Sequence, residues 1–101
     1  MIDAGNEAIH AIRGRSPQDL DGDRLWALGL IKCVEIIGEA ASHIGNETRE
    51  KHADIPWNQI VSMRNRLVHV YFDIDTAQVW KTLTEDIPEL MTRLQNMLDE
   101  P

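Results

Sequence analysis

The chain is poor in cysteine, proline and glycine, with one, four and six in 101 residues. With 43% hydrophobic and 27% charged residues, that scarcity excludes a disordered or low-complexity segment and describes an ordinary folded protein. A lone Cys33 excludes a disulfide framework within one chain, and its place in Leu30-Ile31-Lys32-Cys33-Val34 marks it as a small buried hydrophobe rather than a nucleophile. Cations are few as well. Ten Lys and Arg against seventeen Asp and Glu give a net charge of −7, which excludes whole-surface attraction to nucleic acid but leaves room for a small basic pocket acting on RNA.

Apolar runs long enough to span a membrane are missing, and Met1-Ile2-Asp3-Ala4-Gly5-Asn6-Glu7 has no signal-peptide pattern, so a cytoplasmic protein with no membrane partner is expected. His10, His43 and His52 lack the paired His or Cys spacing of a zinc site. They are expected on the surface, with no metal and no cofactor. A chain of 101 residues makes one domain, 1–101, and is short enough that burial through self-association would add appreciably to its stability.

Helical spacing dominates and strand-like alternation is nearly absent, so the expected fold is all-α: a small up-and-down bundle of four main helices plus a short one. The first helix spans about residues 2 to 13 and ends at Arg13-Gly14-Arg15-Ser16-Pro17; residues 19 to 23 form a loop or short turn. A second, from about 24 to 44, is apolar around most of its circumference, which suggests neighbours on more than one side. A short piece follows Gly45-Asn46 through Lys51. Ile55-Pro56-Trp57 opens a third main helix that should run to Tyr71 or Phe72, and Thr76 opens a fourth that should bend near Pro88.

The third helix holds the unusual residues. Arg64-Asn65-Arg66-Leu67-Val68-His69-Val70-Tyr71 sets an arginine, a histidine and a tyrosine among apolar neighbours, where strong hydrogen-bonders are costly unless paired. On an ideal helix at about 100° per residue, Ile60, Met63, Leu67 and Val70 form the core face, while Trp57, Val61, Val68 and Phe72 form a second apolar sector shared with or bordered by Arg64, Asn65, His69 and Tyr71. The second face is a candidate subunit interface, and a twofold axis there would bring two copies of the motif into one cleft. Arg66 points about 200° from Arg64 on such a helix, so its reach into that cleft is open. Glu39, within Ile36-Ile37-Gly38-Glu39-Ala40-Ala41, is the expected carboxylate partner of Arg64; otherwise it lies on a solvated stripe with Lys32, Glu35 and His43.

The stretch from Ile55-Pro56-Trp57 through Met63-Arg64-Asn65-Arg66-Leu67-Val68-His69-Val70-Tyr71-Phe72, followed by Asp75, Val79-Trp80 and Asp86-Ile87-Pro88-Glu89-Leu90, resembles the HepT-like branch of the HEPN superfamily. Ile36-Ile37-Gly38-Glu39-Ala40 resembles the matching part of that family's earlier helix, and the likeness extends from about Leu25 to Leu98. The family's motif is Arg, a polar residue, three more residues, His, any residue, Tyr; Arg64, Asn65, His69 and Tyr71 match it position by position. The resemblance implies a dimerising helical bundle acting as the toxin of a type VII-like toxin–antitoxin pair. It further implies a ribonuclease silenced when a minimal nucleotidyltransferase antitoxin transfers AMP to Tyr71.

Metal-independent RNA cleavage needs a base for the ribose 2′-hydroxyl, an acid for the leaving oxygen and a cation for the developing phosphorane. His69 can serve as acid or base near neutral pH, Arg64 can hold phosphate, and Asn65 can fix the imidazole or bind phosphate. AMP on Tyr71 would block RNA by bulk and negative charge. A second reading is a catalytically inactive module that binds a nucleotide or a partner protein, and a third takes the motif as dimer glue.

Overall fold

The structure is a computed structural model, and it describes residues 1–68 and 73–100. The fold is all-α with no strand among the described residues. Helix α1, Ile2–Ala11, buries its small residues Ala4, Gly5 and Ala8. Small residues let α1 lie close to its neighbour: a Cβ on Gly5 would collide with the thioether of Met91. The chain then turns at Gly14, whose φ of 72° lies in the left-handed region that suits glycine.

Residues 19 to 23, expected as a loop or short turn, lie mostly in a helix instead. Its start, α2 (Pro17–Gly22), has Pro at its first position, and the Ser16 N–H donates to the Asp19 carboxylate at 2.8 Å. Asp23 then caps the long helix α3, Arg24–Ser42, by accepting from the Trp26 N–H at 3.0 Å. Its inner face, Ala27, Leu30, Ile31, Val34, Ile37, Gly38 and Ala41, is buried against α1 and against segments later in the chain. Leu25, Leu28 and Ile36 on its outer side stay exposed, at 82%, 38% and 43%. The broad apolar surface of α3 is therefore only half used within one chain.

A short helix α4, Asn46–Lys51, follows as expected and places Arg49 under the end of α3. Its guanidinium donates to the carbonyls of Ala41 at 2.8 Å and Ile44 at 3.0 Å, where the helical ladder of α3 runs out. Trp57 opens α5, Trp57–Val61, and is buried, its indole N–H donating to the His52 carbonyl at 3.1 Å. This corrects the expected placement of Trp57 on a second, subunit-facing sector.

The third main helix also differs from expectation. It ends at Val61, and a tight turn of i→i−3 hydrogen bonds, Met63–Arg66, takes over. The Ser62 hydroxyl turns back onto the Asn58 carbonyl at 3.1 Å, competing with the main chain. Beyond it, the Leu67 carbonyl accepts from the Asp75 N–H at 2.8 Å and Val68 faces Ile74 in an antiparallel bridge. These bonds tie Leu67 and Val68 to the segment before the next helix.

Helix α6, Thr76–Lys81, is capped by the Asp75 carboxylate, which accepts from the Gln78 N–H at 3.0 Å. It passes through a π-helical turn, Thr82–Asp86, into α7, Ile87–Asp99. The expected bend thus takes the form of a widened turn. Pro88 has no N–H for the ladder and its ring crowds the preceding turn, and the wider turn absorbs both. The core runs through Val34, Ile37, Leu67, Val79, Leu83 and Ile87, all fully buried. The molecule is flat, 44 × 30 × 16 Å, with a shortest extent less than two helix diameters of about 10 Å.

Candidate functional site

The crossing of α5 over α3 places the motif. A Cβ on Gly38 would lie 3.2 Å from the main-chain oxygens of both Ile60 and Val61, so glycine lets the two backbones come together there. The segments run antiparallel from that point. Three residues on from Val61 is Arg64, and three residues back from Gly38 is Glu35. The Arg64 Nε donates to Glu35 Oε1 at 2.9 Å, and both side chains are 36% exposed.

This corrects the expected pairing of Arg64 with Glu39. Glu39 lies one helical turn further along α3, opposite residues that precede the motif, and is exposed. Its main-chain carbonyl accepts from the Ser42 hydroxyl at 2.6 Å, and its carboxylate has no partner among the described residues. The solvated stripe with Lys32, Glu35 and His43 is the arrangement found for it.

Lys32 completes the cluster, its Nζ 3.7 Å from Glu35 Oε2. Two cations and one carboxylate leave this patch positive on a chain whose net charge is −7. The Arg64 terminal nitrogens, Nη1 and Nη2, make no hydrogen bond among the described residues and form an open planar fork. Asn65 beside it is exposed with no side-chain partner among the described residues.

Arg66 is exposed and belongs elsewhere: it lines a cleft of about 310 Å³ with Asp54, Gln59, Asp86 and Glu89, which Arg64 does not join. His69 and Tyr71 lie outside the described residues, as do Val70 and Phe72. The structure thus brings Arg64 together with Glu35 and Lys32, and separates it from Glu39 and Arg66. Sequence reasoning missed Glu35 as the partner. The usable signal was the count outward from Gly38, once an antiparallel crossing is assumed there.

The other polar residues singled out have simpler places. His10 and His43 are exposed, while His52 is half-buried, with Nε2 3.8 Å from the Glu100 carboxylate, rather than on the open surface. Cys33 is half-buried against the core, and burial, with the nearby Glu7 charge, pushes its thiol above the usual range. No group of three metal-ligating side chains occurs among the described residues, nor does any helix long and apolar enough to cross a membrane.

Comparison with known proteins identifies the family. A family model described as ribonuclease HepT-like matches residues 1–97, including the region before Leu25. A protein of Caldanaerobacter subterraneus subsp. tengcongensis named "putative RNase" is 35% identical over 92 residues, covering 91% of this chain and 82% of that one. A "probable ribonuclease HepT" of Thermococcus cleftensis is 38% identical over 80 residues, 79% of this chain and 73% of its own. A further "putative RNase" of Methanocaldococcus jannaschii is 35% identical over 100 residues, 99% of this chain and 83% of that one. No solved structure matches the chain. With the family model spanning almost its whole length and such relatives covered over most of theirs, this chain belongs to the HepT-like ribonuclease family.

Proposed function

We propose that this protein is an endoribonuclease toxin that cleaves cellular RNA, messenger or transfer, without a metal ion at a site shared by two copies of the chain. The observation that carries the proposal is the open fork of Arg64, half-buried and held on α3 beside an uncovered apolar surface. Leu25, Leu28 and Ile36 on the outer side of α3, with Val61 on α5 40% exposed, are apolar side chains left uncovered. Ile36 follows Glu35, and Val61 lies three residues before Arg64, so an interface built on these side chains has the cationic patch along its edge. A flat molecule with an apolar face beside a charged patch favours a homodimer whose cleft is lined by both copies.

In that cleft Arg64 binds the scissile phosphate and offsets the charge that grows on its oxygens during attack by the 2′-hydroxyl. His69 removes the hydroxyl proton or delivers one to the leaving 5′-oxygen, and Asn65 orients the imidazole or the phosphate. A nucleotidyltransferase antitoxin silences the enzyme by transferring AMP to Tyr71, setting a second phosphate in the path of the RNA. Glu39 has no assigned part in this scheme.

Purified protein incubated with RNA in EDTA tests the reaction. Expected are products ending in 2′,3′-cyclic phosphate, and their loss in His69→Ala with the dimer intact. Cleavage that needs a divalent cation, or that persists in His69→Ala, would overturn this chemistry.

A further inference from the structure

We propose that Glu35 is a positioning residue for Arg64, holding its guanidinium by the Nε side so that the Nη1/Nη2 fork faces an RNA phosphate. The inference rests on the reading of Arg64 as the phosphate-binding group and adds the residue that aims it.

An arginine side chain has many rotamers, and a free guanidinium samples directions that do not meet a phosphate. Nε is conjugated with Cζ, so fixing the Nε–H direction fixes the plane of the whole group. The Glu35 contact does this at 2.9 Å with one oxygen. Glu35 is itself steadied, because its second oxygen faces Lys32 Nζ at 3.7 Å and its backbone lies within the long helix α3.

Geometry separates positioning from blockade. A carboxylate that competed with RNA would take the terminal fork, the edge that matches a phosphate in two parallel bonds. Here it accepts at Nε, and the fork makes no hydrogen bond among the described residues. Lys32 offsets the carboxylate charge, so the cluster keeps one net positive charge. Arg66, two residues away, makes no ion pair among the described residues and lines a different cleft. Charge alone does not distinguish the two arginines; the contact at Nε does.

Two near-isosteric variants test this. Glu35→Gln and Glu35→Met remove the same charge and keep a similar length, but only glutamine keeps an oxygen that can accept from Nε. Steady-state cleavage of a short RNA is measured for both, with circular dichroism and sizing to verify fold and assembly. Positioning predicts that Glu35→Met lowers kcat by about tenfold or more with KM changed less, while Glu35→Gln stays within about threefold of the parent. In an Arg64→Ala background Glu35→Met should have no further effect on rate. Equal rates in both variants would overturn the proposal, whether unchanged, as for a purely structural pair, or raised, as for a carboxylate that repels RNA. Arg64→Ala cleaving as well as the parent would instead overturn the underlying reading of Arg64.

Discussion

Replacing Gly38 by alanine sets two effects of opposite sign against each other at the point that fixes the motif's register. In a helix interior, glycine to alanine stabilises by about 0.5–1 kcal/mol through backbone entropy. At Gly38 the new Cβ would lie 3.2 Å from two carbonyl oxygens, those of Ile60 and Val61. These are main-chain atoms, so relief requires α5 to move away from α3, and forced packing of this kind costs about 1–3 kcal/mol. The net expectation is a loss of about 1 kcal/mol, which for a domain of this size lowers the melting temperature by about 4–8 °C. A shift of α5 also carries Arg64 away from Glu35, so RNA cleavage should fall by more than the change in stability accounts for. Thermal unfolding followed by circular dichroism, with a cleavage assay well below the transition, measures both. A variant that melts higher and cleaves normally would refute the close crossing and the register drawn from it.

Four further outcomes follow from other parts of the molecule. Arg49→Ala removes the donors to Ala41 and Ile44 and should destabilise by about 1–3 kcal/mol in urea unfolding, with the cleavage rate of the folded protein unchanged. Leu25→Asp together with Ile36→Asp should shift the protein to a monomer in sedimentation and abolish cleavage, since both side chains are exposed in one chain. Burial raises the Cys33 thiol, so a disulfide reagent should react slowly at pH 7 to 8, faster as the pH is raised, and fastest on unfolding. Co-expression with a cognate nucleotidyltransferase should add mass in multiples of one AMP, and Tyr71→Phe should prevent it; this is the only tyrosine in the chain.

Much of this fold is local in origin and therefore readable from the sequence. Long apolar periodicity marks α3, Gly45-Asn46 marks the start of α4, and Pro56 and Asp75-Thr76 mark the starts of α5 and α6. The end of α5 was hidden because Ile60, Met63 and Leu67 recur at spacings of three and four, which suit a continuous helix as well as a helix followed by a tight turn. All three are buried either way. Past the tight turn the chain is held by the tie from Leu67 to Asp75 and the pairing of Val68 with Ile74, contacts the periodicity of one segment does not contain. The choice between Glu35 and Glu39 is non-local in the same sense, since both carboxylates lie on one flank of α3 and only the crossing at Gly38 selects between them. The family, by contrast, was legible in the motif itself, since residue types at fixed spacing survive an error about the backbone that carries them.

In the proposed enzyme Arg64 is the group that meets RNA. The most direct measurement is the initial rate of cleavage of a defined RNA in EDTA by the parent protein and by Arg64→Ala, both verified as folded dimers. Expected are cleavage by the parent and a loss of about 100-fold or more in the variant, the scale seen when a transition-state charge donor is removed. Equal rates in the two proteins would contradict this role for Arg64.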